Sequence, residues 1–360
     1  MRNNGDSNDW RVMIPMRLLF DIGHPADYFL FRNVIKKLRE KGDDILITVR
    51  NREGIVTEIL RQEGVEYVLL GGNERGMLKK AINMVRNDLK LLRIAKAFKT
   101  DIFVSLGSPY SGHVSFLMRK PHITYIDTEI SWLINLLLAP PFTTSVIAPA
   151  SVTWKVKYRN YIYINGAKEI AYLDPKYFTP DPSVLKEMGV RMEEKIIIIR
   201  FSAHDSSHDI GLRTMTDESK RRLVIDLSKL GRVFISTEVD LQPELQPFVL
   251  RIKRMHDLLA YASLFVGEGV TMASEAAVLG VPSVFIHPRS FGSINDYSKH
   301  GLAVQYRNPE VELDQIIAYC KGVLTDSGSK GEHIKRRDEM LSTKEDVVLR
   351  IIKEIDGCRR

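Results

Sequence analysis

The stretch "LFVGEGVTMASEAAVLGVPSVFIHP", Leu264–Pro288, decides the fold. An apolar run ends at Gly267. A helix rich in small residues follows, and Gly280 and Pro282 close it before a second apolar run begins. That order reads as strand, tight turn, helix, strand, the unit of a parallel sheet. Gly267 and Gly269 tolerate positive φ and let the backbone approach a ligand closely. A helix that opens near Thr271 offers unpaired N–H groups and a partial positive charge, which suits a phosphate. Glu275 lies about a turn further on, where its carboxylate can accept hydrogen bonds from a ribose diol. The plain alternative is a corner whose glycines only turn the chain, with Glu275 solvated.

Outward from this stretch the same alternation recurs. "RLLFDIG" (17–23), "DDILITVR" (43–50), "VEYVLLGG" (65–72), "DIFVSLG" (101–107) and "PHITYID" (121–127) are strands. Helical patterns lie between them, the longest from Met77 to Phe98. The pattern blurs from Trp132 to about Ile170, and a connection carrying Pro175, Pro180 and Pro182 follows. It restarts with "KIIIIRF" (195–201), "RVFISTE" (232–238) and the opening stretch, and the chain ends in helical patterns. The expected organisation is a flexible tail over 1–15, one Rossmann-like domain over 16–165, a second over 166–343 and a terminal helix over 344–360. In open parallel sheets ligands bind beyond the carboxyl ends of the strands, so residues just after each apolar run carry the information.

Composition sets the outer limits. The 360 residues are 44% hydrophobic and 27% charged, ordinary for soluble globular domains. Cys320 and Cys358 are too few for a disulfide framework, which favours a reducing cytoplasmic setting. The start lacks the order of a signal peptide, and no segment supplies the roughly 20 apolar residues of a membrane span. The net charge of +7 suits anionic partners. Much of it sits between Glu74 and Lys99, where Arg75, Lys79, Lys80, Arg86, Lys90, Arg93, Lys96 and Lys99 face only Glu74 and Asp88. On a helical projection Lys79, Arg86, Lys90 and Arg93 form one arc, and Leu78, Ile82, Val85, Leu89 and Leu92 the next. An apolar stripe beside a cationic one suits an anionic membrane surface. A nucleic-acid partner ranks last, because Phe98 is the only aromatic residue in that segment.

"GEGVTMASEAAVLGVPSVFI" resembles the donor-nucleotide motif of GT-B glycosyltransferases. It is especially similar to the family that transfers N-acetylglucosamine onto a lipid-linked muramyl precursor, and to the non-hydrolysing UDP-GlcNAc 2-epimerases. An uncharacterised GT-B-like family shares these stretches. The resemblance implies two Rossmann-like domains with parallel sheets facing a central cleft: an acceptor-side domain over 16–165 and a nucleotide-sugar-binding domain over 166–343, with the terminal helix over 344–360 crossing back to the first domain. It implies that Gly267, Gly269, Val270 and Thr271 hold the donor diphosphate and that Glu275 binds the ribose. Glu268 departs from the small residue usual at its position. "FDIGHPADYFLF", "SLGSPYSGH" and "FTPDPSVLKEMGV" resemble further parts of the family more weakly.

The remaining candidates sit at other strand ends. His24, in "DIGHPAD", has an ordinary pKa of about 6.5, suited to taking a proton from an acceptor hydroxyl. A helix-capping loop histidine is its alternative. Asp127, with Glu129 nearby, is the runner-up base; its alternative is an N-cap. Arg200, Ser202 and His204 in "RFSAHDSSHD" are candidate diphosphate ligands. A metal site at His204, His208 and Asp209 lacks a third strong ligand and is not expected. Gly107 and Ser108 open the expected acceptor-side loop. The favoured reading is an inverting glycosyltransferase that needs no cofactor beyond its nucleotide-diphospho-sugar donor. A lipid-linked acceptor and a peripheral site on the inner membrane face go with it. The alternatives are a UDP-GlcNAc 2-epimerase and a nucleic-acid-binding protein.

Overall fold

A computed structural model describes residues 14–51, 54–72, 77–127, 140–153, 155, 160–202, 215–250, 252 and 254–359. The chain divides into two compact units. One comprises Met1–Ile126, Ile134–Ile147 and Val348–Arg360, and the other Asp127–Leu133 and Ala148–Val347.

The first sheet runs in the order β3-β2-β1-β4-β5-β6-β7. Its strands are β1 (Arg17–Ile22), β2 (Asp44–Asn51), β3 (Val68–Gly72), β4 (Ile102–Leu106), β5 (His122–Tyr125), β6 (Ser145–Pro149) and β7 (Tyr161–Ile164). From β3 through β6 each neighbouring pair is parallel. The helices are α1 (Pro25–Glu40), α2 (Ile55–Gln62), α3 (Met77–Phe98) and α4 (Pro109–Met118). β1 and β4 bury almost every side chain, as strands covered on both faces do. Leu19, Leu70, Leu91, Ala95, Phe103 and Val114 form one core cluster beneath α3 and α4.

The second sheet runs β12-β11-β10-β8-β9, parallel throughout. It contains β8 (Ile196–Phe201), β9 (Arg232–Thr237), β10 (Leu264–Gly267), β11 (Ser283–Ile286) and β12 (Ala303–Tyr306). Short helices α5 (Ile170–Leu173) and α6 (Ser183–Glu187) precede it. Then come α7 (Asp217–Ser228), α8 (Met255–Tyr261), α9 (Val270–Val278), α10 (Gly292–Lys299), α11 (Pro309–Thr325) and α12 (Ser329–Ser342). The last helix, α13 (Val347–Gly357), ends the chain. The isoleucines of β8 are fully or almost fully buried, and Ile197 and Ile199 share a core with Val266, Val284, Leu223 and Ile316.

The stretch read as blurred contains β6 and β7, and the connection after it contains α5. Residues 303–306 and 329–342 also form elements, β12 and α12, that the pattern did not announce.

Candidate functional site

In the second unit, β10 and β8 lie in parallel register with Gly267 opposite Arg200. A Cβ at Gly267 would stand 2.7 Å from Arg200 Cβ and 2.8 Å from the Arg200 carbonyl oxygen. The glycine is therefore required by strand packing. Positive φ is not its reason: neither Gly267 nor Gly269 occupies the left-handed region, and Gly269 has φ −87°. Gly280, which ends α9, is the residue that does, at φ +74°. The helix starts at Val270, one residue before Thr271. Gly269 supplies no side-chain cap, so the first turn of α9 keeps the unpaired N–H groups that every helix start has.

Glu268 is buried, and its carboxylate accepts hydrogen bonds from the N–H of Ser202 (3.0 Å) and of Met215 (3.4 Å). It ties the segments after β8 to the turn after β10. Arg200 turns toward β9: Nη1 donates to Ser236 Oγ at 2.7 Å and Nη2 pairs with Glu238. Its charge already has a partner. Ser202 stays by the turn, its Oγ 3.5 Å from where a Gly269 Cβ would lie. His204 lies outside the described residues, as do His208, Asp209 and Glu129. Among the described residues no three His, Cys, Asp or Glu side chains gather as a metal site.

Glu275 is not solvated. It is 6% exposed, and its Oε1 accepts from Tyr172 Oη at 2.8 Å and meets His256 Nε2 at 3.0 Å. Burial pushes its carboxyl pKa up, but the charge and hydrogen bond of His256 and the bond from Tyr172 outweigh it and hold the group below its ordinary value. Oε2 has no hydrogen bond among the described residues. Tyr172 is pushed well above its usual range by burial first and by Glu275 second. The His256 ring lies 5.4 Å from that of Tyr172.

A second charged group lies alongside. Lys168 pairs with Asp127 and stands 3.8 Å from Glu169. Burial works against the Lys168 charge, but Asp127 and Glu169 more than offset it and raise its pKa. Burial lifts the Glu169 carboxyl to about 7 despite the neighbouring ammonium. A cavity of about 470 Å³ opens nearby, lined among others by Asn165, Ile170, Asn295, Asp296 and Lys344. Tyr172, His256, Lys168 and Glu169 were not singled out from the sequence. No local motif marks them, since Tyr172 and Glu275 meet across 103 positions.

In the first unit, His24 caps α1. Its Nδ1 accepts the Ala26 N–H at 3.2 Å, and Asp27 Oδ2 accepts from the N–H of Gly23 (2.7 Å) and of His24 (3.0 Å). With Nδ1 accepting, the neutral ring carries its proton on Nε2. Ser108 caps α4, and its hydroxyl donates to the fully buried Asp21. Gly107 sits at φ +60°, and its N–H donates to Thr124 Oγ1 at 2.9 Å.

Two α/β units, one with this strand–turn–helix, give the chain a GT-B-like fold, shared with solved glycosyltransferases and UDP-GlcNAc 2-epimerases. The spinosyn forosaminyltransferase SpnP is similar at TM-score 0.66 and 17% identity, over 95% of this chain and 100% of its own. The UDP-GlcNAc 2-epimerase of Methanocaldococcus jannaschii is similar at TM-score 0.62 and 12% identity, over 89% and 99%. MurG of Acinetobacter baumannii is similar at 0.56 and 13%, over 95% and 100%. Within that fold the chain belongs to the family described as "Protein of unknown function (DUF354)", matched over residues 16–353. An uncharacterised protein of M. jannaschii is 23% identical over 296 residues, 79% of this chain and 86% of its own length.

Proposed function

We propose that this chain is an inverting glycosyltransferase that moves a sugar from a nucleotide-diphospho-sugar to an acceptor hydroxyl. The observation that carries the reading is Glu275: a carboxylate held ionised through Oε1, with Oε2 left to accept from a ribose diol. The uncapped start of α9 would receive the diphosphate. The acceptor oxygen bonds to the anomeric carbon as the bond from that carbon to the diphosphate breaks. Charge grows on the leaving diphosphate, where fixed N–H dipoles are most effective. The Asn and Asp side chains of the neighbouring cavity suit a sugar's hydroxyls. The acceptor's proton goes to Asp127 or His24, and the reading needs no metal.

Titration calorimetry with UDP-, GDP-, dTDP- and CMP-sugars tests it. For the best donor, Glu275→Gln should weaken binding about 10- to 100-fold, the equivalent of one charge-assisted hydrogen bond. Unchanged affinity would remove the ribose role.

A non-hydrolysing UDP-GlcNAc 2-epimerase is the second reading. Glu169 favours it, since a carboxyl lifted to about 7 suits acid and base work at neutral pH. UDP-ManNAc formed from UDP-GlcNAc without any acceptor would select it over transfer. The reading also has a location: an anionic membrane surface met by α3, where Ile82, Val85 and Leu89 are 55%, 59% and 49% exposed beside Arg86, Lys90 and Arg93.

A further inference from the structure

The first unit contains a charged side chain whose outer donors neither the fold nor the proposed transfer uses. Arg50 lies near the end of β2, beside β1 and within reach of the start of α4. Its Nε sits 3.5 Å from Asp21 Oδ2, too poorly aligned to count as a hydrogen bond. Asp21 is fully buried and also accepts from Thr48 Oγ1 (3.2 Å) and Ser108 Oγ. The carboxylate thus anchors the inner edge of the guanidinium. The guanidinium carbon stands 5.2 Å from the centre of the Tyr110 ring. On another side lies Gly23, where a Cβ would fall 2.3 Å from Nη2. A side chain at position 23 would displace the fork from the β1–α1 turn.

The outer edge is different. Nη1 and Nη2 make no hydrogen bond among the described residues, yet the side chain is only 12% exposed. The neighbouring backbone donors are already taken. Asp27 holds the N–H groups of Gly23 and His24, and Thr124 holds that of Gly107. The planar fork keeps its outer donors open, and they match two oxygens of a carboxylate or phosphate.

We propose that Arg50, braced by Asp21, Tyr110 and Gly23, is a binding site for an oxoanion, a phosphate or a carboxylate on a ligand of the first unit. The site stands independently of the transferase reading, because it involves no residue of the donor motif.

The test labels arginines of the wild-type protein with phenylglyoxal and follows each peptide by mass spectrometry. Inorganic pyrophosphate and succinate are the two probes, for phosphate and carboxylate sources. One of them should slow labelling of Arg50 about tenfold while leaving exposed Arg61 unaffected. Calorimetry with the same probe should lose one binding event in Arg50→Gln/Asp21→Asn, which removes both charges so that no buried carboxylate is left unpaired. Gly23→Ala, which pushes the fork aside, should do the same. Labelling of Arg50 at equal rates with and without both probes would overturn the proposal. So would variants that bind the probe as wild type does.

Discussion

At the scale of single residues, the proposed transfer has two candidate bases, His24 and Asp127. His24 spends its Nδ1 lone pair on the α1 cap, which leaves Nε2 protonated in the neutral ring. It can act as a base only by leaving the cap. Asp127 is held by Lys168. Asparagine separates the roles of His24, since it caps a helix but cannot take a proton. His24→Asn should keep both stability and turnover, whereas His24→Ala should cost about 0.5–2 kcal/mol of stability from the lost cap. Asp127→Asn should lower turnover about 10²- to 10⁴-fold with donor affinity unchanged. A comparable loss in His24→Asn returns the proton to His24. Glu169 gives a pH signature of its own. Its folded pKa, about 7, lies above its ordinary 4.5. The folded state therefore binds the extra proton, and the stability this brings is complete below about 4.5 and is lost as pH rises to about 7. Melting temperatures of Glu169→Gln should fall less than wild type across that window. An identical slope would mean that Glu169 titrates normally.

At the scale of elements, the strand–turn–helix around Gly267 was legible because its signals are local: an apolar run, glycines, then small helical residues. The reason for the glycines was not. The strand alongside requires glycine at 267 alone, and φ at Gly267 and Gly269 needs no glycine. Likewise β7 was missed because "YIYI" is half-buried and lacks alternation, and α12 because its polar run shows no clear apolar stripe. The partners of Glu275 could not be read at all, since they come from α5 and α8 and meet only in the fold. The two glycines should now behave differently. Gly267→Ala forces β10 from β8 and should cost about 1–3 kcal/mol, as overpacking does. Gly269→Ala meets Arg200 Cγ at 3.4 Å with φ −87° and should change stability by no more than about 0.5 kcal/mol. Its effect should fall on nucleotide affinity, because the methyl group narrows the start of α9. Chemical denaturation and donor calorimetry on both variants would show the split; equal destabilisation would contradict it.

At the scale of the whole molecule, the two α/β halves were written in the repeated alternation of apolar runs and helical patterns, and long α3 among them. Which face of α3 packs inward was not, since that depends on how the helix lies on its sheet. Leu91 and Ala95 are buried and Leu92 is half-buried, while Ile82, Val85 and Leu89 stay in solvent. The cationic arc, Arg86, Lys90 and Arg93, is exposed next to them; the Lys79 side chain lies outside those described. No described helix is long and apolar enough to cross a membrane. In the proposed reading α3 lies on the lipid surface. Each Lys or Arg near an anionic leaflet contributes about 1 kcal/mol, falling off within a Debye length, so binding should weaken with salt. Sedimentation with vesicles should rise with the fraction of anionic lipid. Arg86→Gln/Lys90→Gln/Arg93→Gln should remove most of that dependence, and Val85→Ser/Leu89→Ser should weaken what remains at high salt, where only apolar insertion holds the protein. Binding indifferent to lipid charge, or untouched by the glutamine substitutions, would leave the stripe of α3 as a solvated edge and take the membrane out of the reading.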